Sequence, residues 1–253
     1  MQIKIVQQQV IKFYMFILCS IIGLSVYIYT DGTFLKACII YIFFSVLSKL
    51  ANITYHRYLA HGYFLPNKLV KILMLYSIVA SGLVKPLNYV IGHRLHHKFS
   101  DSDKDPHPPN LGMFNLVQGK FNDKITNTVP IKDIIRQKDV MFVNNYYYTL
   151  YTLNLVIFYV IDPHIFYLSF LLLNLRYHFI TIIFNYIAHG GKKISQPQNL
   201  PLWTSFLLGY LGENYHKNHH DDPSNPKFSK TTSLLNADIG YYIMKLLFRV
   251  KYK

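Results

Sequence analysis

The sequence predicts an all-α integral membrane protein, with four transmembrane helices in two hairpins beneath a cytoplasmic helical cap. Three observations lead there: four long apolar runs, two short turns without basic residues, and positive charge gathered in the segments on the other side. A bilayer core takes about 20 mostly apolar residues of helix. Phe13 to Thr30 carries no charge. Phe34 to Leu50 is apolar, with Lys36 and Lys49 near its ends, where their stems can snorkel to the interface. Val140 to Ile161 is uncharged, and Ile165 to Ala188 is apolar except for Arg176 and His178. Thr30-Asp31-Gly32-Thr33 turns the first hairpin and Asp162-Pro163-His164 the second. The expected spans are therefore 13–30, 34–50, 140–161 and 165–188. Segments 51–139 and 189–253 face the cytoplasm.

A length of 253 residues favours one domain, 1–253. The chain is 51% hydrophobic, with 22 Tyr and 18 Phe, which is too apolar for a disordered chain. Of the 26 Lys and Arg, 12 lie between Ala51 and Asn145 and 9 follow Gly190. The positive-inside rule then puts both termini in the cytoplasm. The net charge of +14 suits an anionic membrane surface. No basic block carries groove-reading motifs, so no nucleic-acid partner is expected. Cys19 and Cys38 both lie in apolar runs and read as small core residues. No small-residue cleavage site follows the first run, since Tyr27-Ile28-Tyr29 stand there, so it reads as a retained anchor. Ile72 to Val84 and Leu200 to Leu211 are shorter apolar runs, expected as helices packed at the cytoplasmic mouth. Ser100 to Asn110 and Asp221 to Lys230 are rich in Asp, Pro, Asn and Ser and read as loops.

Histidine carries the chemistry. There are 12, and eight fall in three clusters: His56 with His61; His93, His96 and His97; His216, His219 and His220. A ninth, His189, follows Asn185 by four residues. On a helix, positions i, i+3 and i+4 share a face. Each HxxHH triplet therefore projects together, and its i+3 and i+4 members diverge by about 100°. One triplet can serve two metals side by side. His56 and His61, at i and i+5, do not share an α-helical face; they need different metals or a helix end between them. Asn185 and His189 share one. All nine imidazoles fall at the cytoplasmic ends of the expected spans or in the cytoplasmic segments.

Nine imidazoles exceed one structural zinc, which takes four ligands, often with cysteine. Carboxylate-bridged di-iron bundles need several glutamates. This chain has only Glu213. A histidine-ligated pair of irons with open positions fits better. His107, His164 and His178 lie outside the clusters and read as structural, with His107 near enough to the second cluster to support it. Arg176, in mid-span, either pairs or reaches the aqueous cap.

The strings HRYLAH, HRLHH within HRLHHKFSDSDKDPH, HKNHH within GENYHKNHHDDP, and NYIAH together resemble the histidine boxes of membrane fatty-acid desaturases of the Δ9 type, the acyl-CoA and acyl-lipid group. The resemblance runs from about Ala51 to Asp222. It implies two irons held by the nine histidines, with Asn185 in the shell directly or through water. It implies O₂ as co-substrate and a cis double bond, at Δ9, in a long-chain acyl thioester or acyl lipid. It also implies a separate electron donor of cytochrome-b5 or ferredoxin type, since no such domain is fused here. Gly92 stands before His93 where many acyl-CoA enzymes have an Asp after an Arg. A hydroxylase or acetylenase of the same histidine-box class is the nearest alternative. A histidine-rich metal transporter is the alternative from another class, but it would carry its histidines inside the spans.

Attacking an unactivated C–H bond requires a dry site. An apolar tunnel kinked at the irons is therefore expected, with Tyr55, Trp203 and Phe184 as candidate linings. Arg94 and Lys98, inside the second box, are candidate phosphate contacts.

Overall fold

The structure is a computed structural model that describes residues 6–118, 122, 129–174, 182–204, 212–231 and 237–250. It is mostly helical. Helix α1 (Val6–Tyr29) and helix α2 (Phe34–Asn52) are joined by the expected short turn. Thr33 caps α2 by accepting from the Lys36 N–H at 3.3 Å. Beyond α2 the chain widens into a π-helix, Ile53–Ala60. Helices α3 (Lys68–Ala80) and α4 (Pro86–Phe99) follow, α3 capped by Asn67 and α4 opened by Pro86. A 3₁₀ turn (Pro109–Leu111) and the short α5 (Met113–Val117) and α6 (Lys132–Ile135) lead to α7 (Lys138–Asn145) and α8 (Tyr147–Ile161). Then come α9 (Pro163–Asn174), α10 (Ile182–Ala188), α11 (Gly191–Ile194), α12 (His216–Asp221) and α13 (Ile239–Leu247). Two-residue strands β1 (Phe64–Leu65) and β2 (Arg249–Val250) pair antiparallel, Phe64 opposite Val250.

Among the described residues one helical stretch, Phe34–Ala60, is long and apolar enough to cross a membrane. Phe13–Tyr29, Tyr147–Ile161 and Pro163–Leu173 are shorter apolar helices. The expected span 140–161 is not one helix: it breaks at Tyr146, which leaves helical geometry at φ −100°, ψ 16°. Asp162 alone separates α8 from α9. The expected span 165–188 is described as α9 and α10, and Arg176 and His178 lie outside the described residues.

Helices α1, α2, α8 and α9 share a core of Tyr27, Ile40, Phe44, Leu47, Phe158 and Leu168. Helix α1 crosses α9 closely at Gly23, where an added Cβ would stand 2.2 Å from the Tyr167 carbonyl oxygen. At the hairpin tips Lys36 pairs with Asp162 at 2.5 Å and reaches His164 Nδ1 at 2.7 Å. The outer faces of α1, α2 and α8 stay apolar and uncovered: Ile21, Ile28, Ile39, Ile42 and Val160 are all exposed. A second core, under the histidines, gathers Tyr55, Leu59, Phe64, Met74, Ile78, Val140, Tyr147 and Phe228.

Candidate metal centre

The π-helix decides how the first cluster is presented. Its wider turn is closed by an i→i+5 bond, His61 N–H to the His56 carbonyl at 3.1 Å. Residues five apart then fall on one face, and the two rings stand 5.0 Å apart, edge to face. Of the two options left by α-helical spacing, the helix end holds: the π-helix stops at Ala60 and His61 is its C-cap. Both residues enter the same group.

The nine imidazoles form two groups. His56, His61, His93, His97 and His219 make one, and His96, His189, His216 and His220 the other. Within each group, one ligand-capable atom per residue lies within 4.8 Å of all the rest. Each HxxHH triplet is split. On α4, His93 and His97 turn to the first group and His96 to the second; on α12, His219 goes to the first, His216 and His220 to the second.

Carboxylates fix the ring tautomers. His96 Nδ1–H donates to Asp105 at 2.8 Å, His189 Nδ1–H to Asp101 at 2.9 Å, and His56 Nδ1 meets Glu213 at 2.8 Å. With Nδ1 as donor, a neutral ring presents a lone pair at Nε2. Yet His96 Nε2 and His189 Nε2 face each other at 3.1 Å, and His189 Nε2 faces His216 Nε2 at 2.8 Å. Two lone pairs cannot hydrogen-bond. A cation between them resolves the conflict, and the donor set fits a metal. In the first group, His61 Nε2 faces His93 Nε2 at 2.8 Å and His56 Nε2 faces His219 Nε2 at 3.0 Å. The buried Nε2 atoms of His97 and His220 have no hydrogen-bond partner in the protein, as befits ligands.

Burial favours the neutral form of seven of the rings. Burial, then the neighbouring His107 and His189, push His96 well below the ordinary histidine value. Burial and the adjacent His56 lower His97 to about 3. Burial likewise lowers His93, His216 and His219. Neutral imidazole is the form that binds metal. Burial opposes charge on Glu213, but His56 and Arg57 beside it hold its carboxyl at about 2.

Around the rings the remaining candidates are placed as follows. Phe184 is buried, edge-on to His216 at 6.0 Å. Tyr55 is buried, donates its hydroxyl to the Val84 carbonyl and leans on Tyr89, which stacks on His93 at 5.6 Å. Asn185 sits one turn before His189 and accepts its N–H on the backbone at 3.1 Å. Lys98 is exposed, with its ammonium 5.2 Å from the Phe99 ring centre. Trp203 is 62% exposed, so it does not share the packed surroundings of Tyr55 and Phe184. Arg94 is corrected: it is not a free phosphate contact. Its guanidinium donates to the Ala60, Leu59 and Pro130 carbonyls and grips Asp133 with two prongs. It pins the end of the first box to the second.

Several supporting residues escape sequence reasoning. Tyr63 stacks on His61 at 4.9 Å and 7°, and its hydroxyl meets His219 Nδ1 at 3.3 Å. Asp101 and Asp105 stand in the Ser-Asp-Ser-Asp-Lys-Asp string just after the second box, and acids beside histidines were the available signal. Asp105 also faces His107 at 3.8 Å. Arg57 and Asp238 carried no signal at all.

Two clustered sets of imidazoles, three of them oriented by carboxylates, form two groups that could each hold a metal ion. The chain belongs to the fatty acid desaturase family, whose model matches residues 34–229. It is similar to Delta-9 acyl-lipid desaturase 1 of Arabidopsis thaliana, 27% identical over 78% of this chain and 67% of that one. It is similar to the chloroplastic palmitoyl-monogalactosyldiacylglycerol delta-7 desaturase of the same plant, at 29% over 80% and 57%. It is also similar to stearoyl-CoA desaturase 5 of Bos taurus, at 33% over 52% and 44%. The chain is an oxidoreductase acting as a fatty-acyl desaturase.

Proposed function

We propose that this desaturase holds two irons and uses O₂ to place a cis double bond at Δ9 of a long-chain acyl group. The carrying observation is the sorting of nine imidazoles into groups of five and four, with lone pairs turned on one another. All-nitrogen donor sets suit iron among the imidazole-binding metals. Asn185, on the same helix as the approach to His189, completes the smaller group directly or through water. The relatives named for acyl lipids favour an acyl-lipid carrier, and an acyl thioester is the other carrier of this chemistry.

The bound metals would supply an oxidant able to remove hydrogen from an unactivated C–H bond. The chain's own residues do the rest. Asp101, Asp105 and Glu213 hold the Nδ1 protons, so each ring offers Nε2 inward. Tyr89, Phe184 and Phe228 exclude water from the ring edges. An acyl chain held beside the metals would be attacked at the carbons that lie there, so position sets regioselectivity. Two C–H bonds are lost and one C=C forms, while O₂, two electrons and two protons become two waters. The electrons come from a separate one-electron carrier of cytochrome-b5 or ferredoxin type.

We further propose four spans in two hairpins, with both termini and the histidines on the cytoplasmic side. Short hairpin tips and uncovered apolar flanks on α1, α2 and α8 support this arrangement. Expression in a host unable to make unsaturated fatty acids, followed by lipid mass spectrometry, tests the reading. A product lighter by two hydrogens, lost in His96→Ala, is expected. A product heavier by one oxygen would mark a hydroxylase instead.

A further inference from the structure

A polar cleft of about 460 Å³ opens beside the histidines. One wall is Ser100 to Ser102, the other Ser195 and Gln196. His97 and His220 reach its floor, one from each metal-binding group. Their rings stack at 4.3 Å and 20°. Both walls are tied to His189: Asp101 takes its Nδ1–H, and the Gln196 N–H donates to its carbonyl at 3.0 Å. Asp101 and Ser195, both lining the cleft, adopt left-handed backbone, φ 61° and 47°. The cleft is lined by hydroxyls, amide and carboxylate. Elsewhere in the two groups apolar rings pack on other histidines: Tyr89 on His93, Phe184 on His216 and Phe228 on His219.

We propose that this cleft is the aqueous port of the metal site. Water and small hydrophilic solutes reach the metals between Ser102 and Gln196, apart from the apolar approach of the acyl chain. Resting on the desaturase reading, the traffic follows from its balance. Two protons must arrive with the electrons, and two waters must leave. An apolar acyl path serves neither, because each polar species would be stripped of its hydration there. The port needs no ionisable side chain to carry a proton; solvent that fills it does so.

The test blocks the port after folding. Ser102→Cys is made in a Cys19→Ser, Cys38→Ser background, loaded with metal, then labelled with a bulky hydrophilic maleimide. A second batch receives only a methylthio group. Loss of metal to a sulfonated chelator is followed in each. The bulky label should slow the loss by about tenfold, and the small label should not. A bulky label at Lys138→Cys, on exposed surface elsewhere, should have no effect. Unchanged loss with the bulky label at position 102, or equal slowing at position 138, overturns the port. Metal content measured before labelling separates the two readings. A chain that holds no metal defeats the desaturase mechanism, whereas a loaded chain that releases metal past the label defeats the port alone.

Discussion

Arg57 and Asp238, 181 positions apart in sequence, meet in a two-pronged ion pair, Nη2 to Oδ1 at 3.0 Å and Nη1 to Oδ2 at 3.2 Å. Neither side chain is exposed to solvent. The same guanidinium donates to Glu213 at 2.9 Å and lies 3.9 Å from the Phe228 ring centre. Glu213 in turn holds His56. The C-terminal segment is thereby fastened to a metal-binding group through one buried cation.

Removing one partner of such a pair strands a buried charge, at a cost of about 3–5 kcal/mol. Asp238→Asn should therefore lower stability on that scale and loosen Glu213 from His56. Gly212→Ala should act similarly, because its Cβ would stand 2.0 Å from Asp238 Oδ1 and the backbone there has φ +90°. Denaturant unfolding together with metal content checks both. Wild-type values for Asp238→Asn would show the pair to be incidental.

Asp105 accepts from His96 Nδ1 and from the backbone N–H groups of Asp101 and His107. Replacing such an orienting carboxylate typically costs 10–100-fold in metal affinity or activity, so Asp105→Asn should fall by about that factor. Metal titration of the stripped protein reads it. An unchanged affinity would mean that the His96 tautomer does not matter.

Stability should depend on pH through the buried rings. The folded values of His61, His93, His96, His97, His216, His219 and His220 lie below the ordinary 6.5, that of His97 at about 3. Above about pH 6.5 both folded and unfolded rings are neutral and nothing is lost. As pH falls below 6.5 the unfolded chain takes up protons that the folded one refuses, so stability declines down to about pH 3. Protons compete with metal for the folded ligands, so stabilisation by bound metal also weakens as pH falls. Thermal unfolding of the metal-free protein should show a level midpoint down to about pH 6.5 and a falling one from there to about pH 5. A flat profile contradicts neutral burial.

The α1–α9 crossing depends on Gly23. Gly23→Ala drives a methyl against the Tyr167 carbonyl. Overpacking of this kind costs about 1–3 kcal/mol. A lowered melting midpoint with metal content unchanged is expected, since the crossing is remote from the rings.

Much of the site was legible because metal chemistry is written in residue type and spacing. HxxHH on a helix fixes a shared face whatever surrounds it, and the apolar runs mark helices by length alone. The i+5 spacing of His56 and His61 left two options open, because nothing in the spacing shows that the backbone widens to a π-helix that ends at Ala60. Arg94 misled. A cation beside a box looks available in sequence, while carbonyls at the ends of other segments consume its donors. The Arg57–Asp238 pair lay beyond reach, since no local pattern announces a partner 181 residues away.

If five and four imidazoles hold separate metals, each group should lose its own ion when one of its rings is removed. Metal content per chain, by mass spectrometry on the wild type, His61→Ala and His220→Ala, tests it most directly. Two irons should fall to one in each variant, with the remaining iron spectroscopically different between them. A wild type with a single metal, or variants that lose both together and leave no distinguishable remainder, would contradict it.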